Sequence, residues 1–184
     1  MFSTTKKIDL FQTSTPKWLV VILFALCTMN GFAQKNEALT IYVFLSETCP
    51  ICQSITPELK SLYAIYHEKG VAFVGLFPNQ VQSTDETRQQ FEKKYNIPFS
   101  LSADKGQKMA AKFGATATPQ VFLVRNSDHA VLYKGRVDNS FESIGHRRAV
   151  VTKQYLRTAL NNILQNKPAD PAETTPVGCF ISKN

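Results

Sequence analysis

The stretch Ser46-Glu47-Thr48-Cys49-Pro50-Ile51-Cys52-Gln53-Ser54 decides both fold and chemistry, because it sets two cysteines three positions apart between two kinds of pattern. Before it, Leu39 to Ser46 reads LTIYVFLS, rich in β-branched and aromatic residues, a mostly buried strand. After it, Ile55, Leu59, Leu62 and Tyr66 recur at helical spacing and Gly70 supplies a stop. A helix is therefore expected over Pro50–Lys69, kinked rather than abolished by Pro57, with His67 near its end meeting the helix dipole. A pair of cysteines at such a junction can clamp a metal, hold a static crosslink, or open and close as a redox couple.

The alternation continues along the chain. VAFVGLF, Val71 to Phe77, is a second apolar strand, and Ser83 to Tyr95 a polar helix with Phe91 and Tyr95 on one side. FSLSAD from Phe99 is a third, short strand, and a brief helix, Gln107 to Phe113, leads through GATATP to the strand Gln120 to Val124. The polar turn NSDH and the strand AVLYKG then close a hairpin. Strands alternating with helices and ending in a hairpin imply an α/β sandwich around a central mixed sheet. Val137 to Val151 reads as a connector, Thr152 to Gln165 as a helix with Leu156, Leu160 and Leu164 at spacing four, and 167–184 as an irregular tail broken by Pro168, Pro171 and Pro176.

The 184 residues suit one domain with extensions, and 43% hydrophobic against 19% charged residues excludes a chain disordered throughout. At the start, Lys6, Lys7 and Lys17 precede an apolar run from Trp18 to Cys27 and the small-residue pattern Gly31-Phe32-Ala33. This is the pattern of a secretory signal over residues 1–33, leaving a 34–166 domain and the 167–184 tail. Export, to a bacterial periplasm, follows; retention of the segment gives a membrane-anchored form, and a lipid on Cys27 is disfavoured by the large Leu26 before it. Losing the signal removes three lysines and one aspartate, which leaves 18 basic against 13 acidic residues and a charge of +5. The longest basic clusters left are the pairs Lys93-Lys94 and Arg147-Arg148, without stacked aromatics, so nucleic acid is not an expected partner.

The thiolate is the reactive form of cysteine, and an ordinary thiol with a pKa of about 8.5 is mostly protonated at neutral pH. Cys49 falls at the first turn of the expected helix, where free backbone N–H groups and the dipole favour negative charge, which marks it as the attacking thiol. Cys52, one turn deeper, can attack a mixed disulfide formed at Cys49 and release the partner. The spacing also suits zinc, but structural zinc takes four ligands and the chain has no second such pair.

At these residues the chain resembles the thioredoxin superfamily, and two further features carry the likeness: Thr118-Pro119 directly before a strand, and the hairpin VFLVRNSDHAVLYKG after it. The resemblance covers roughly Leu39 to Gly135; YKGRVDN, the leucine helix, NKP and the closing GCFI extend it to the exported bacterial redoxins, related to the alkyl hydroperoxide reductase and thiol-specific antioxidant group. It implies a three-layer thioredoxin-like sandwich, a cis-proline at 119 opposite the dithiol, and an exported thiol:disulfide oxidoreductase in cell redox homeostasis. Cys49 and Cys52 would be catalytic, Thr118 and Pro119 would bind substrate, and the partners would be protein or small-thiol disulfides and a redox protein that resets the pair. No cofactor or metal is expected.

The chain departs from common thioredoxin in having Thr48 before the first cysteine, Pro50-Ile51 between the pair, and Val43 where a buried acid is usual. A proton acceptor for Cys52 then comes from Glu47, Asp85, Glu86 or water. A thiol peroxidase of the peroxiredoxin type is the enzyme alternative: Ser46 fits its pattern, Tyr42 stands where a proline is wanted, and Arg125 is a poor match for the arginine that polarises peroxide. A copper carrier of this fold is the non-enzyme alternative, with His129 or His146 as the third ligand. Cys179 leaves an odd thiol, to be read as an accessory member of a relay, an interchain link, or a small buried hydrophobe between Val177 and Phe180.

Overall fold

A computed structural model of the chain describes residues 38–79 and 83–182, which lie within one unit, Asn36–Asn184. The expected signal over 1–33 falls outside the described residues. The central sheet has five strands: β1 (Leu39–Phe44), β2 (Val71–Phe77), β3 (Ser100–Ala103), β5 (Gln120–Arg125) and β6 (Val131–Gly135), in the spatial order β3-β2-β1-β5-β6. β1 runs parallel to β2, and β2 to β3, while β5 lies antiparallel to β1 and β6 antiparallel to β5. The sheet is mixed, as its alternation and closing hairpin imply. Ladder positions Phe44↔Leu76 and Phe44↔Gln120 put the ends of β1 and β2 and the start of β5 side by side, and it is there that the cysteine segment leaves the sheet.

Alternation along β1 assigns residues to two faces. Ile41 and Val43 join the larger core, with Ile55, Leu59 and Leu62 of α1 (Pro50–Tyr66), Phe91 of α2 (Asp85–Tyr95), and Leu156 and Leu160 of α4 (Tyr155–Leu164). Tyr42 and Phe44 face the opposite way, into a cluster with Phe122 and with Met109, Ala110 and Phe113 of α3 (Lys108–Phe113). Helices thus cover both faces, which completes the three layers. Arg157 of α4 bonds Glu58 of α1 at 2.7 Å, and the Tyr66 hydroxyl donates to Asn161 Oδ1 at 2.7 Å, so α4 is tied to α1 as well as packed against the core.

α1 tolerates its proline for a visible reason. Pro57 has no N–H for the carbonyl of Gln53, four residues earlier. Thr56 Oγ1 donates to that carbonyl at 2.9 Å and replaces the missing partner. The helix ends at Tyr66 and tightens into a 3-10 turn over His67–Lys69, three residues short of the expected Lys69. His67 stacks on Tyr63 with ring centroids 4.6 Å apart. Leu59, fully buried between α1 and the sheet, tests this packing: Leu59→Ala should cost about 2–5 kcal/mol in the urea unfolding of the reduced chain, and a cost below about 1 kcal/mol would refute the packing described.

Two regions depart from the sequence expectation. The connector Val137–Val151 contains a small hairpin of β7 (Phe141–Ser143) and β8 (His146–Arg147). Its ends are drawn together by Asn139, whose Oδ1 accepts from the backbone N–H of Thr152 and of Lys153 at 3.0 and 2.9 Å. The tail is not irregular throughout: it runs beside β6, with Lys134 N–H donating to Ala172 O at 3.1 Å and Thr174 N–H to Lys134 O at 3.0 Å. It ends in β9 (Cys179–Phe180), antiparallel to β4 (Ala117–Thr118), the short segment before Pro119. Among the described residues no helix is long and apolar enough to cross a membrane.

Candidate active site

Cys49 is the residue before α1, and Pro50 takes the first helical position, where its missing N–H costs nothing. Gln53 N–H closes the first turn on Cys49 O at 3.1 Å, which sets Cys52 one turn in, beneath Cys49. Both side chains are buried, Cys49 at 1% and Cys52 at 0% exposure, and all three cysteines of the described chain are free thiols. The backbone N–H of Ser46, at the end of the β1 segment, donates to Cys52 Sγ at 3.4 Å.

The second wall of the site is the turn before β5. The Thr118–Pro119 peptide bond is cis, and Cys49 Sγ lies 3.3 Å from Thr118 O, to which it donates only while protonated. Gln120 fixes this turn: its Oε1 accepts from the N–H groups of Thr116 and Ala117 at 2.9 and 3.3 Å. No sequence pattern pointed to Gln120, since a glutamine opening a buried strand carries no signal of what its amide will bind.

The third wall is the tail. β9 pairs Cys179 with Thr118 and Phe180 with Ala117, and Thr118 Oγ1 donates to Cys179 O at 3.4 Å. Cys179 Sγ lies 3.0 Å from Cys49 Sγ and donates its hydrogen to it. Cys179 is half-buried and packs with Val177 against the larger core, while Phe180 is 79% exposed.

The three sulfurs ionise in order. The Cys49 thiol is lowered from 9.0 to about 5, first by the hydrogen bond from the Cys52 thiol and less by that from Cys179, with burial opposing both; the backbone amide of Cys52 contributes after these. The backbone N–H of Cys52, at the amino end of α1, acts in the same direction as the two neighbouring thiols. Burial first, then the hydrogen bond to Cys49 and its charge, hold Cys52 well above the ordinary value. The same causes push Cys179 up to about 11. This order favours a thiolate at Cys49 beside protonated Cys52 and Cys179.

Of the carboxylates expected as proton acceptors, Glu47 and Asp85 hold other partners and Glu86 is exposed. Glu47 Oε1 accepts from Ser83 Oγ at 2.6 Å and Thr87 Oγ1 at 3.0 Å, Asp85 pairs with Arg88, and Glu86 is exposed on the first turn of α2. Arg125 bonds Asp128 at 2.8 Å beside Leu39, at the opposite end of β5 from the sulfurs, roughly 17 Å away along a six-residue strand. It cannot polarise a peroxide at Cys49. His129 lies in the β5–β6 turn and His146 in β8, both exposed, and among the described residues no group of three or more His, Cys, Asp or Glu is placed to hold a metal.

A family model described as Redoxin matches residues 27–147, which include the dithiol, the cis-proline turn and the hairpin. The chain belongs to the redoxin family. Among curated proteins, this redoxin is 32% identical over 81 residues to the thiol-disulfide oxidoreductase ResA of Bacillus thuringiensis, a match covering 44% of this chain and 45% of that protein. It is 25% identical over 83 residues to the chloroplastic peroxiredoxin Q of Oryza sativa subsp. japonica, across 45% of this chain and 36% of the other. The redoxin thus matches less than half the length of these relatives. Among solved structures, an uncharacterized conserved protein from Geobacillus kaustophilus superposes with a TM-score of 0.70 at 27% identity, covering 80% of the redoxin and 78% of that chain. The family match stops at residue 147, so Cys179 and β9 lie beyond it.

Proposed function

We propose that this redoxin is an exported thiol:disulfide oxidoreductase in which Cys49 attacks and Cys52 resolves. The reading rests on one observation above all: two buried free cysteines stand one helical turn apart at the start of α1, with Cys49 against the cis Thr118–Pro119 turn and its thiol lowered to about 5. Similarity to the ResA proteins and the lysine-led apolar segment before Ala33 support the activity and the export respectively.

Cys49 thiolate attacks one sulfur of a substrate disulfide; the Cys49–S bond forms as the substrate S–S bond breaks, and the expelled thiolate takes up a proton. Cys49 is then uncharged. Two of the influences that hold the Cys52 proton in place, the charge of Cys49 and the hydrogen bond to it, vanish, while the Ser46 N–H remains to steady a Cys52 thiolate. Cys52 gives its proton to water or the departing sulfur and attacks Cys49, which forms the Cys49–Cys52 disulfide and releases the second substrate sulfur. The substrate gains two electrons and the dithiol loses two; an external thiol donor returns them, and the same steps in reverse oxidise a substrate. Thr118 and Pro119 hold an extended substrate segment by strand-like pairing once β9 has left Thr118.

The test is trapping. Cys52→Ser combined with Cys179→Ser, which also removes the thiol 3.0 Å from Cys49, should accumulate mixed disulfides at Cys49 in extracts of the exported fraction. Absence of reducible adducts after acid quenching overturns the proposal. Peroxide consumption with a thiol donor that survives Cys52→Ser but not Cys49→Ser would replace it with the peroxidase.

A further inference from the structure

The place where a substrate strand would pair is already taken by the chain itself. β9 lies antiparallel to β4 in register with Thr118, and the residue it sets opposite Thr118 is a cysteine whose sulfur meets Cys49 at 3.0 Å. The fit is close at the backbone: a Cβ on Gly178 would stand 2.1 Å from Thr118 O and 2.9 Å from Pro119 N, so only glycine lets the tail lie against the turn. Upstream, a Cβ on Gly135 would stand 2.2 Å from Thr174 O, and Thr174 Oγ1 accepts from Arg136 N–H at 2.9 Å and lies 2.8 Å from the Tyr133 hydroxyl. The tail is thus seated at two points of contact too close for any side chain. With it seated Cys49 is 1% exposed, whereas Cys179 retains intermediate exposure.

We propose that Cys179 is a third redox thiol, the chain's own substrate for Cys49, and that it carries the disulfide from the buried Cys49–Cys52 pair to the surface. The proposal rests on the exchange chemistry of Cys49 and Cys52 set out above. In the oxidised chain the Cys179 thiol gives up its proton and attacks Cys49 Sγ. The Cys49–Cys179 bond forms as Cys49–Cys52 breaks, and Cys52 leaves as a thiolate and takes up a proton. No net oxidation occurs; the disulfide has moved. Burial, the largest influence opposing Cys179 ionisation, remains, but Cys49 in a disulfide bears no charge, so the two lesser ones, its hydrogen bond and its charge, are removed. An external thiol donor then attacks Cys179 Sγ and expels Cys49, the most acidic of the three thiols and hence the best leaving group. A second thiol of the donor completes the reduction. Electrons reach a site that the donor never enters.

In Cys52→Ser treated with oxidised glutathione, a Cys49–Cys179 link should form, read by non-reducing peptide mapping after acid quench. It should outcompete the glutathione adduct roughly tenfold at external thiol of about 0.1 mM, because a tethered thiol acts at millimolar or higher effective concentration. Gly178→Val in the same background should lower the link at least about tenfold, and adducts trapped at Cys49 should be roughly tenfold more abundant in Cys52→Ser/Cys179→Ser than in Cys52→Ser alone. A glutathione adduct at Cys49 without the link, a link unaffected by Gly178→Val, or equal trapping in the single and double variants would each overturn the relay. An empty trap in the double variant refutes the underlying exchange reading instead, which keeps the two failures apart.

Discussion

Cys49→Ser is expected to slow disulfide exchange by at least about a thousandfold, because a hydroxyl with an ordinary pKa far above that of a thiol supplies almost no nucleophile at neutral pH. The companion measurement is the thiolate absorbance of the reduced chain minus that of Cys49→Ser. With the folded value at about 5, against 9.0 for an ordinary cysteine, the difference signal should be complete by about pH 6 and lost tenfold per unit as the pH falls below 5. The direction is fixed by the lowering: the anion is favoured by the fold, so acid, not base, removes it. A signal that instead rises between pH 8 and 10 would mean that Cys49 is not the activated thiol.

Cys52→Ala should move that titration upward by more than any other single change near the site. The hydrogen bond from the Cys52 thiol is the largest influence holding Cys49 down, ahead of that from Cys179, and the helix amide contributes after both. Cys52→Ala should therefore shift the Cys49 titration from about 5 toward 9.0, and Cys179→Ala should shift it less. Were the amino end of α1 the dominant field, both variants would still titrate near pH 5. The measurement separates a thiolate held by its neighbours from one held by a helix.

Much of the fold was legible because its elements repeat. LTIYVFLS and VAFVGLF are runs of strand formers long enough to be unambiguous, and Ile55, Leu59, Leu62 and Tyr66 draw one helical face that becomes the core face of α1. The hairpin from Val121 to Gly135 carried its own turn signal in NSDH. What was missed has no period. β7 and β8 are three and two residues long with mostly exposed side chains, too short to show alternation. Proline spacing made 167–184 read as irregular, although a chain can lie straight beside a strand by bonding it at alternate residues, as Ala172 and Thr174 do with Lys134.

The site divided in the same way. The dithiol and the Thr118–Pro119 turn stand in short motifs, so their residues could be named from the chain alone, and the structure brings Cys49 and Thr118 together across 69 positions. Cys179 comes to the same point from 130 positions away, and its only local sign is the glycine before it. Sequence proximity also says nothing about competition: Glu47 is two residues from Cys49, but its Oε1 accepts from the hydroxyls of Ser83 and Thr87.

The tail's run beside β6 has a consequence apart from chemistry. β6 is the outermost strand on its side of the sheet, and its unpaired amides and carbonyls would form an open edge, ready to recruit a strand from another molecule. Ala172 and Thr174 occupy those groups at Lys134, so the polypeptide blunts its own edge. Proteolytic trimming behind α4 would strip that cover and favour self-association through the bared sheet.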